Sequence, residues 1–565
     1  MIASNNPNRI DTQMDVSVVT SLTNNVWLDN KQRIIVARLP KDKKDILQRL
    51  KCPYKEETSD TIIGYMPDCL GAYRLLYHFG ETDIIKAVPI YKDNTFLIEG
   101  QYQPMEHQRL TAAFMCIFPR CYVLSDCRLG KTGSAIMAMD YLQNVQAFPG
   151  AALIITTLTT VTSVWVPSLQ KSCPWKTIHI LHGKKDLKYL EEPTNYFVTN
   201  YDTIRTNQTE FINAVKQRQI GYVLVDELTH CGNISAQRTK AISKVINTTG
   251  LPYACGMTGT PGSDPEPVYG MCKTINPAIF PYRTKTGWLA ATTYQYGQYS
   301  SQRVNLDHTP KLIFEAMQPA IRFKKEEILD LPPIVEQIRV CALLKEQETA
   351  IAKIWKDAVL EFASGPQITA SNAAVRLNKI LQLAQGFALD EDGNMVNLLP
   401  AKFNDPRSQT ILDVISETDR KIVIFSMFRK RLSLLQNLLN LHHISNAVIH
   451  GDITGDQRGD ILKKFNDDPD PRVLIAHPVT VGYGTELSVA DTLIIDGPLL
   501  LGGFSYKQTL ERLSSIKQVS SKISIIKIAG DSREVKLFNR MDQDQQVAQA
   551  IAGLFEEARR DLYGK

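Results

Sequence analysis

The chain has 565 residues, of which 44% are hydrophobic and 22% charged, with a net charge of +5. This length accommodates about three or four globular domains, and so mild a basic excess permits a nucleic-acid partner without demonstrating one. All ten cysteines lie at or before Cys341 and none forms a CxxC pair, which argues against a zinc site or a disulfide framework and for free thiols in a reducing cytosol.

Met1–Val16 has no basic region followed by an apolar core, so no export signal is expected. Tyr141–Gln170 carries no charge, yet it contains Pro149, Gly150, Pro167 and five threonines between Thr156 and Thr162. It reads as a buried strand, a loop and a helix, because a spanning helix would be more evenly apolar. No membrane segment is expected, and a cytoplasmic location is.

In chain order, residues 1–98 mix short β-like runs (Arg33–Ala37, Thr61–Tyr65) with helical stretches (Lys43–Lys51, Leu70–Phe79), as in a small α/β accessory domain. Residues 99–280 alternate strand and helix, with strands expected at Tyr122–Ser125, Ala151–Thr156, Ile178–Leu181, Tyr196–Thr199, Tyr222–Val225 and Tyr253–Met257. Four of these are continuous apolar runs, the mark of parallel strands covered on both faces. Residues 281–400 read as a helical linker or protrusion, with helices at Leu343–Ala363 and Ala370–Ala384. A second strand-helix alternation fills 401–530, with strands at Lys421–Phe425, Ala447–His450, Arg472–Ala476, Thr492–Ile495 and Ile523–Ile528. Residues 531–565 close the chain as a charged amphipathic helix. The fold class is α/β, with two similar parallel-sheet lobes, and ligands are expected at the carboxyl ends of the strands.

Three stretches carry chemistry. In Cys121–Asp140, an apolar run leads into a loop ending Gly130-Lys131-Thr132 and then into a helical pattern. That is the context of a phosphate loop, in which backbone N–H groups at the helix start cradle phosphate oxygens. Lys131 would neutralise the β- and γ-phosphates and Thr132 would hold Mg²⁺. The loop departs from the usual pattern, with Ser125 at the leading glycine and Arg128-Leu129 where a glycine is often seen. GKT alone does not separate a phosphate loop from an ordinary loop-helix junction. In Tyr222–Asn233, four apolar residues deliver Asp226-Glu227 from a buried strand, where adjacent carboxylates need a metal or hydrogen bonds to compensate them. Beside a phosphate loop, Asp226 would reach Mg²⁺ and Glu227 would orient or deprotonate the attacking water. The third stretch, Gly256–Pro261, has the small hydroxyl residues and glycines of a linker that senses nucleotide state, and a plain tight turn has the same composition.

Taken in order, these motifs resemble the superfamily 2 helicases and translocases, most closely the Swi/Snf-like DNA translocases. The resemblance runs from about Gln103 to Arg540. Pro104–Gln108 is similar to the family's opening motif, Thr156–Trp165 and Val198–Ile204 (VTNYDTI) to its strand-gripping segments, and Phe323–Pro333 to its basic-then-LP segment. In the second half, Lys421–Phe428, His450-Gly451 with Arg458 and Phe465, Gly482–Asp491 (GYGTELSVAD) and Gln508–Gln518 (QTLERLSSIKQ) continue the series. The resemblance implies two tandem RecA-like lobes and an ATP-dependent DNA translocase or helicase using ATP and Mg²⁺. It gives Gln108, Ser125, Asp126, Cys127, Arg128, Leu129, Gly130, Lys131, Thr132, Gly133, Gly484 and Arg512 to the nucleotide. Lys131, Asp226, Glu227 and Arg512 are its catalytic set. Thr156, Thr157, Thr199, Thr258, Gly259, Thr260, Ser426, Gly451 and Thr480 fall to coupling or nucleic acid. The implied partner is DNA, duplex or branched and read without sequence preference, with accessory replication or recombination proteins as further partners.

Three departures bear on turnover: Thr229 replaces a His, Glu486 an Asn, and Ser515 the second arginine of the last motif. An arginine finger can be worth ~10³–10⁵ in rate, and Lys517 lacks the planar fork that would replace one. An ATP-binding nucleic-acid protein with little hydrolysis, motivated by Ser125, Thr229 and Ser515, is therefore the alternative. A motor subunit of a larger machine is a third reading, with any nuclease on a separate chain. Trp165, Trp175 and Trp288 read as packing residues, His230 and His450 as polar-loop residues, and Cys127 as a small filler.

Overall fold

The computed structural model describes residues 19–92, 103–259, 262, 264–295, 303–328, 331–363, 370–389, 395–481, 487–501, 506, 509–514 and 518–542. The chain divides into two compact units, Met1–Ile328 and Leu329–Lys565. Each is built on its own all-parallel sheet, the α/β class that the tandem RecA-like pattern calls for.

The first unit opens with an antiparallel sheet of β1 (Val19–Thr23), β2 (Val26–Asp29), β3 (Ile34–Pro40), β4 (Tyr54–Glu56) and β5 (Thr61–Pro67), in the order β1-β2-β3-β5-β4. Period-two alternation sends Ile35, Ala37 and Leu39 of β3 inward and leaves Arg38 exposed on the other face. Helices α1 (Lys44–Arg49) and α2 (Leu70–His78) close the inner side. Helix α3 (Glu106–Ile117) adds Ala112, Ala113, Phe114 and Cys116 to the same core, which continues into Ile136 and Ile154 of the following sheet.

That following sheet has seven strands in the order β14-β6-β11-β10-β7-β9-β8. They are β6 (Arg120–Val123), β7 (Ala151–Thr156), β8 (Ile178–Leu181), β9 (Tyr196–Asn200), β10 (Ile220–Asp226), β11 (Tyr253–Met257) and β14 (Ala320–Ile321). Every residue of β7 is buried. Its successive side chains go to opposite faces, Ile154 into one core and Leu153 and Ile155 into the other. Helix α4 (Lys131–Asn144) covers the first of these faces. An antiparallel ribbon of β12 (Thr293–Gln295) and β13 (Arg303–Asn305) precedes β14.

The second unit has six parallel strands in the order β15-β22-β21-β18-β20-β19. These are β15 (Ile334–Val340), β18 (Lys421–Phe425), β19 (Asn446–Ile449), β20 (Val473–Ala476), β21 (Ala490–Asp496) and β22 (Ile523–Ala529). Helices α5 (Lys345–Ala363) and α6 (Ala370–Ala384) and a ribbon of β16 (Phe387–Leu389) and β17 (Met395–Asn397) lie between β15 and β18 in the chain. The sequence reading gives β15 to the linker, and the structure corrects this: it pairs with β22 from Ile334↔Ile523 to Val340↔Ala529. Its residues are largely exposed, with Glu336, Gln337 and Arg339 set among Ile and Val, as suits an edge strand, and the preceding Pro332-Pro333 imitates a linker. Among the described residues no helix is long and apolar enough to cross a membrane. No metal-holding group of His, Cys, Asp or Glu occurs among them either.

A buried ion cluster ties the second unit together. Arg407, at the start of α7 (Pro406–Ser416), donates through Nε to Asp496 (2.7 Å) and through its terminal nitrogens to Glu534 (2.9 and 3.2 Å) and the Ile528 carbonyl (3.0 Å). Arg431 of α8 (Arg429–Leu441) donates to the other Asp496 oxygen at 2.6 Å. Glu534 belongs to α9 (Ser532–Asp542) and also accepts from the Gly530 amide. Burial alone would raise the Asp496 carboxyl, but the two guanidiniums outweigh it and hold the group below its ordinary range. We expect Arg407→Met to destabilise the second unit by about 3–5 kcal/mol, because Glu534 is left buried without its arginine and Asp496 keeps only Arg431. Urea unfolding followed by circular dichroism checks this, with Arg38→Met, at an exposed pair, expected to leave the transition nearly unmoved.

Candidate nucleotide and nucleic-acid site

Parallel register sets four strand ends side by side. Val123 of β6 aligns with Met257 of β11, Met257 with Asp226 of β10, and Val225 of β10 with Ile155 of β7. Ser125, Thr258, Asp226 and Thr156 therefore lie at or just past the carboxyl edge of adjacent strands, with neighbours about 4.8 Å apart. This is where an open α/β sheet presents its ligands.

The phosphate loop crosses that edge between β6 and α4. Arg128 and Gly130 have φ of 68° and 73°, so Arg128 adopts the left-handed conformation that a glycine takes without strain. The sequence departs from glycine there, but the backbone does not depart from the turn. No side chain caps α4, so its first-turn N–H groups face outward for an anion. The Lys131 ammonium donates to the carbonyls of Ser125 (2.8 Å) and Asp126 (2.9 Å), holding positive charge across the loop. Thr132 and Gly133 follow in the first turn, partly exposed. Leu129 is buried, and its carbonyl accepts from Gln108 at 3.3 Å and contacts His107 at 2.8 Å. Gln108 also accepts from the Met105 amide, so the glutamine that the resemblance gives to the nucleotide braces the loop from behind.

The other departure, Ser125, is explained by a bond no glycine could make. Its buried Oγ accepts from the Phe323 amide at 3.1 Å. Asp126 donates to the Phe323 carbonyl (3.0 Å) and accepts from the Lys325 amide (3.0 Å). With Leu124 bonded to Ile321 at 2.9 Å, residues 321–325 extend the β14 ladder along the loop and staple it. Across the loop, a Cβ on Gly259 would stand 2.5 Å from Cys127 Sγ and 3.4 Å from Lys131 Nζ, so the glycine is sterically required. Thr258 is buried and donates its amide to Val123.

The acidic pair is held by two aromatic side chains. Asp226 Oδ2 accepts from Trp165 Nε1 (2.8 Å) and Thr156 Oγ1 (3.1 Å), and Oδ1 from the Glu227 amide (3.1 Å). Among the described residues these donors occupy three of the roughly four acceptor positions of a carboxylate. The remaining one is on Oδ1, available to a cation or its water. Glu227 has φ of 54°, a strain of about 1–2 kcal/mol for a non-glycine residue. The Tyr201 hydroxyl reaches the backbone carbonyls on both sides of it. Burial raises the Tyr201 phenol, with Cys231, Asp226 and Glu227 adding to it, so it remains a proton donor. Burial and Arg238 lower His230, which packs against the Tyr201 ring and is half-buried rather than a simple loop residue.

Trp165 and Tyr201 both bond the acidic pair, contacts that the reading of Trp165 as a packing residue did not include. A buried Trp or Tyr needs a partner for its polar end, and both lie in segments already singled out, which was the available signal.

Other candidates are used differently. Thr157 bonds Thr160 at 2.9 Å. Thr199 is fully buried and donates to the Leu181 carbonyl, so its hydroxyl serves the sheet. In the second unit Ser426 is buried and donates to Gln385, Thr480 donates to the His477 carbonyl, and Gly451 is exposed. Arg512, 8% exposed, sits in the single turn Glu511–Leu513. Gln518 braces that turn by donating to Leu513 (3.1 Å) and Ala490 (2.8 Å). Thr260, Gly484, Glu486, Ser515 and Lys517 lie outside the described residues, as does the closing helix beyond Asp542.

Comparison with known proteins agrees with this layout. The profile of the SNF2-related domain matches residues 118–387, and that of the helicase conserved C-terminal domain residues 407–532. Similar proteins include nuclear protein STH1/NPS1 of Saccharomyces cerevisiae, 23% identical over 65% of this chain and 28% of its own length. An uncharacterized ATP-dependent helicase, MG018 of Mycoplasma genitalium, is 24% identical over 65% of this chain and 34% of its own. The human DNA annealing helicase and endonuclease ZRANB3 is 21% identical over 89% of this chain and 42% of its own. The chain thus spans about a third of the length of the first two. Among solved structures, the Sulfolobus solfataricus SWI2/SNF2 ATPase core in complex with dsDNA is similar over 81% of this chain and 96% of that one. Its sequence identity is 17% and its TM-score 0.38. With an SNF2-related domain followed in order by a helicase C-terminal domain, the chain belongs to the SNF2 family of superfamily 2.

Proposed function

We propose that the protein is an ATP-dependent DNA translocase or helicase, which couples ATP hydrolysis to movement along DNA or its remodelling. The observation that carries this reading is the register that brings Ser125, Thr258, Asp226 and Thr156 to one sheet edge, with Lys131 bonded across the loop that starts there. The site fits a magnesium nucleotide: α4 starts uncapped, the Gly259 cradle has no room for a Cβ, and Asp226 keeps an acceptor position. When bound, ATP with Mg²⁺ supplies the phosphoryl group and a divalent charge to offset its oxygens.

The chain's own residues do the rest. Lys131 and the first-turn amides bind phosphate oxygens, and Thr132 and Asp226 hold the cation. Glu227, fixed by Tyr201, orients the attacking water and accepts its proton. Arg512 is the residue of the second unit that offsets charge on the leaving phosphate. The chain's likeness to a protein named as a DNA annealing helicase, over 89% of its length, supports DNA as the partner. Hydroxyls and amides at Thr156–Trp165 suit phosphate rather than base contacts, which makes the grip sequence-independent. Accessory replication or recombination proteins are further partners, testable by co-purification. A reducing, cytoplasmic setting suits the free cysteines.

The alternative, ATP binding with little turnover, draws on Thr229 and Ser515. Ser125 no longer supports it, because its hydroxyl has a structural use.

ATPase assays with and without duplex DNA test the main reading. Wild type should be stimulated by DNA, and Lys131→Ala and Glu227→Gln should each lose about 10²–10³ in turnover. DNA binding should weaken steeply as salt rises. Equal, negligible rates in all arms, with ATP still bound, would favour the alternative. Arg512→Ala should lower turnover by ~10³ or more if this residue acts as the arginine finger, with ATP affinity measured separately by equilibrium dialysis. Gly259→Ala should cost about 1–3 kcal/mol by overpacking. Adding Cys127→Ala removes the opposing sulfur and should recover most of that, read as a double-mutant cycle in thermal unfolding.

A further inference from the structure

We propose that Thr156 and Trp165 form a lever, through which occupancy of the strand-gripping segment Thr156–Trp165 sets the position of the Asp226 carboxylate. This deepens the translocase reading and rests on it. The lever makes Trp165 a positioning residue for coupling, a role beyond packing.

Both ends of the segment converge on one oxygen. Thr156, its first residue, and Trp165, its last, donate to the same Asp226 Oδ2 at 3.1 and 2.8 Å. The chain between them cannot move as a body without disturbing one of these bonds. Its second half, Val161–Trp165, is a single π turn, a rare geometry concentrated at functional sites. The indole ring is fully buried in the core with Val161, Leu169 and Cys173, which fixes it as the pivot.

Proton bookkeeping gives the connection a direction. An ionised carboxylate only accepts, and each threonine hydroxyl has one proton to give. Thr156 gives its proton to Asp226, so in the 2.6 Å contact with Thr160 it accepts and Thr160 donates, sharing that proton with the Thr157 carbonyl at 3.0 Å. Thr160 has then spent its own, so Thr157 donates to it at 2.9 Å. The order is Thr157 to Thr160 to Thr156 to Asp226. The wire starts at the half-buried Thr157, followed by the exposed Leu158 and Thr159, and ends on the carboxylate that holds the cation. A DNA phosphate that takes the Thr157 hydroxyl withdraws the first donor of this chain, and mutually polarised bonds weaken together. A phosphate that shifts the segment also pulls on both Oδ2 donors. Either event changes how Asp226 presents Oδ1.

Energetic coupling between two ligands is reciprocal and measurable without turnover. The test uses the full chain and a fluorescent duplex, with affinity measured by anisotropy in the presence and absence of Mg²⁺ and a non-hydrolysable ATP analogue. The ratio of the two dissociation constants is the coupling factor. Trp165→Phe keeps the ring and removes the N–H; Thr156→Val keeps the shape and removes the hydroxyl. In wild type the factor should fall in the usual range of about 5–150, and in each variant it should drop below about 2. The double variant should lose nothing further, because the two act as one device. Lost packing alone would lower the melting temperature and leave the ratio unchanged. Variants that melt like wild type and keep its coupling factor overturn the lever. Should Trp165→Phe fail to fold, the isosteric Thr156→Val decides alone. A wild type that binds neither duplex nor nucleotide overturns the translocase reading and the lever with it. DNA-stimulated hydrolysis with unaltered coupling in both variants overturns the lever only.

Discussion

The Asp226 carboxylate ends a strand whose six preceding residues are all buried. A charge delivered to such a place must be compensated where it stands, and the first unit is arranged around that requirement. Trp165, Thr156 and the Glu227 amide surround the group with neutral donors. Each comes from a separate consequence of the parallel sheet: β7 beside β10, the segment that follows β7, and the turn that ends β10. Neutral donors stabilise the carboxylate without cancelling its charge, which keeps the site suited to a divalent cation.

The second sheet has the same problem at the same topological place and solves it in the opposite way. Asp496 ends β21 as Asp226 ends β10. Its donors are two guanidiniums, with Glu534 balancing the second positive charge. Every member of that cluster is at least 96% buried in its side chain, and Asp496 keeps no charge to offer a metal. Similar lobes are therefore chemically unlike. One presents an open carboxylate beside a phosphate loop, while the other plugs its strand ends with ion pairs that serve its own stability.

Much of this was legible in the sequence. Apolar runs gave β7, β11 and β18 at their observed bounds, because strands buried on both faces have few other compositions open to them. The phosphate loop, Asp226-Glu227 and the turn after β11 were legible because each follows such a run directly. What was not legible depends on pairings across long separations. Arg407 and Glu534 are 127 residues apart, and Ser125 meets Phe323 across 198. Nothing local distinguishes these residues from ordinary surface or linker positions. β15 was missed because it follows Pro332-Pro333 and its one strand partner, β22, lies almost 190 residues further along the chain. Trp165 was read as packing because periodicity reports that a ring is buried, but not where its N–H points.

The departures from the family pattern illustrate the same limit. Ser125 and Arg128 look like damage when glycine is taken as the requirement. The requirement is a conformation and a set of bonds. Arg128 meets it by holding a left-handed φ at some energetic cost, and the staple from Phe323 to Lys325 holds the neighbouring Ser125 and Asp126 in place. That staple ends three residues before the close of the first unit at Ile328, in the basic segment that precedes β15. The serine that weakened the loop as a sequence motif supplies one of the bonds of that staple.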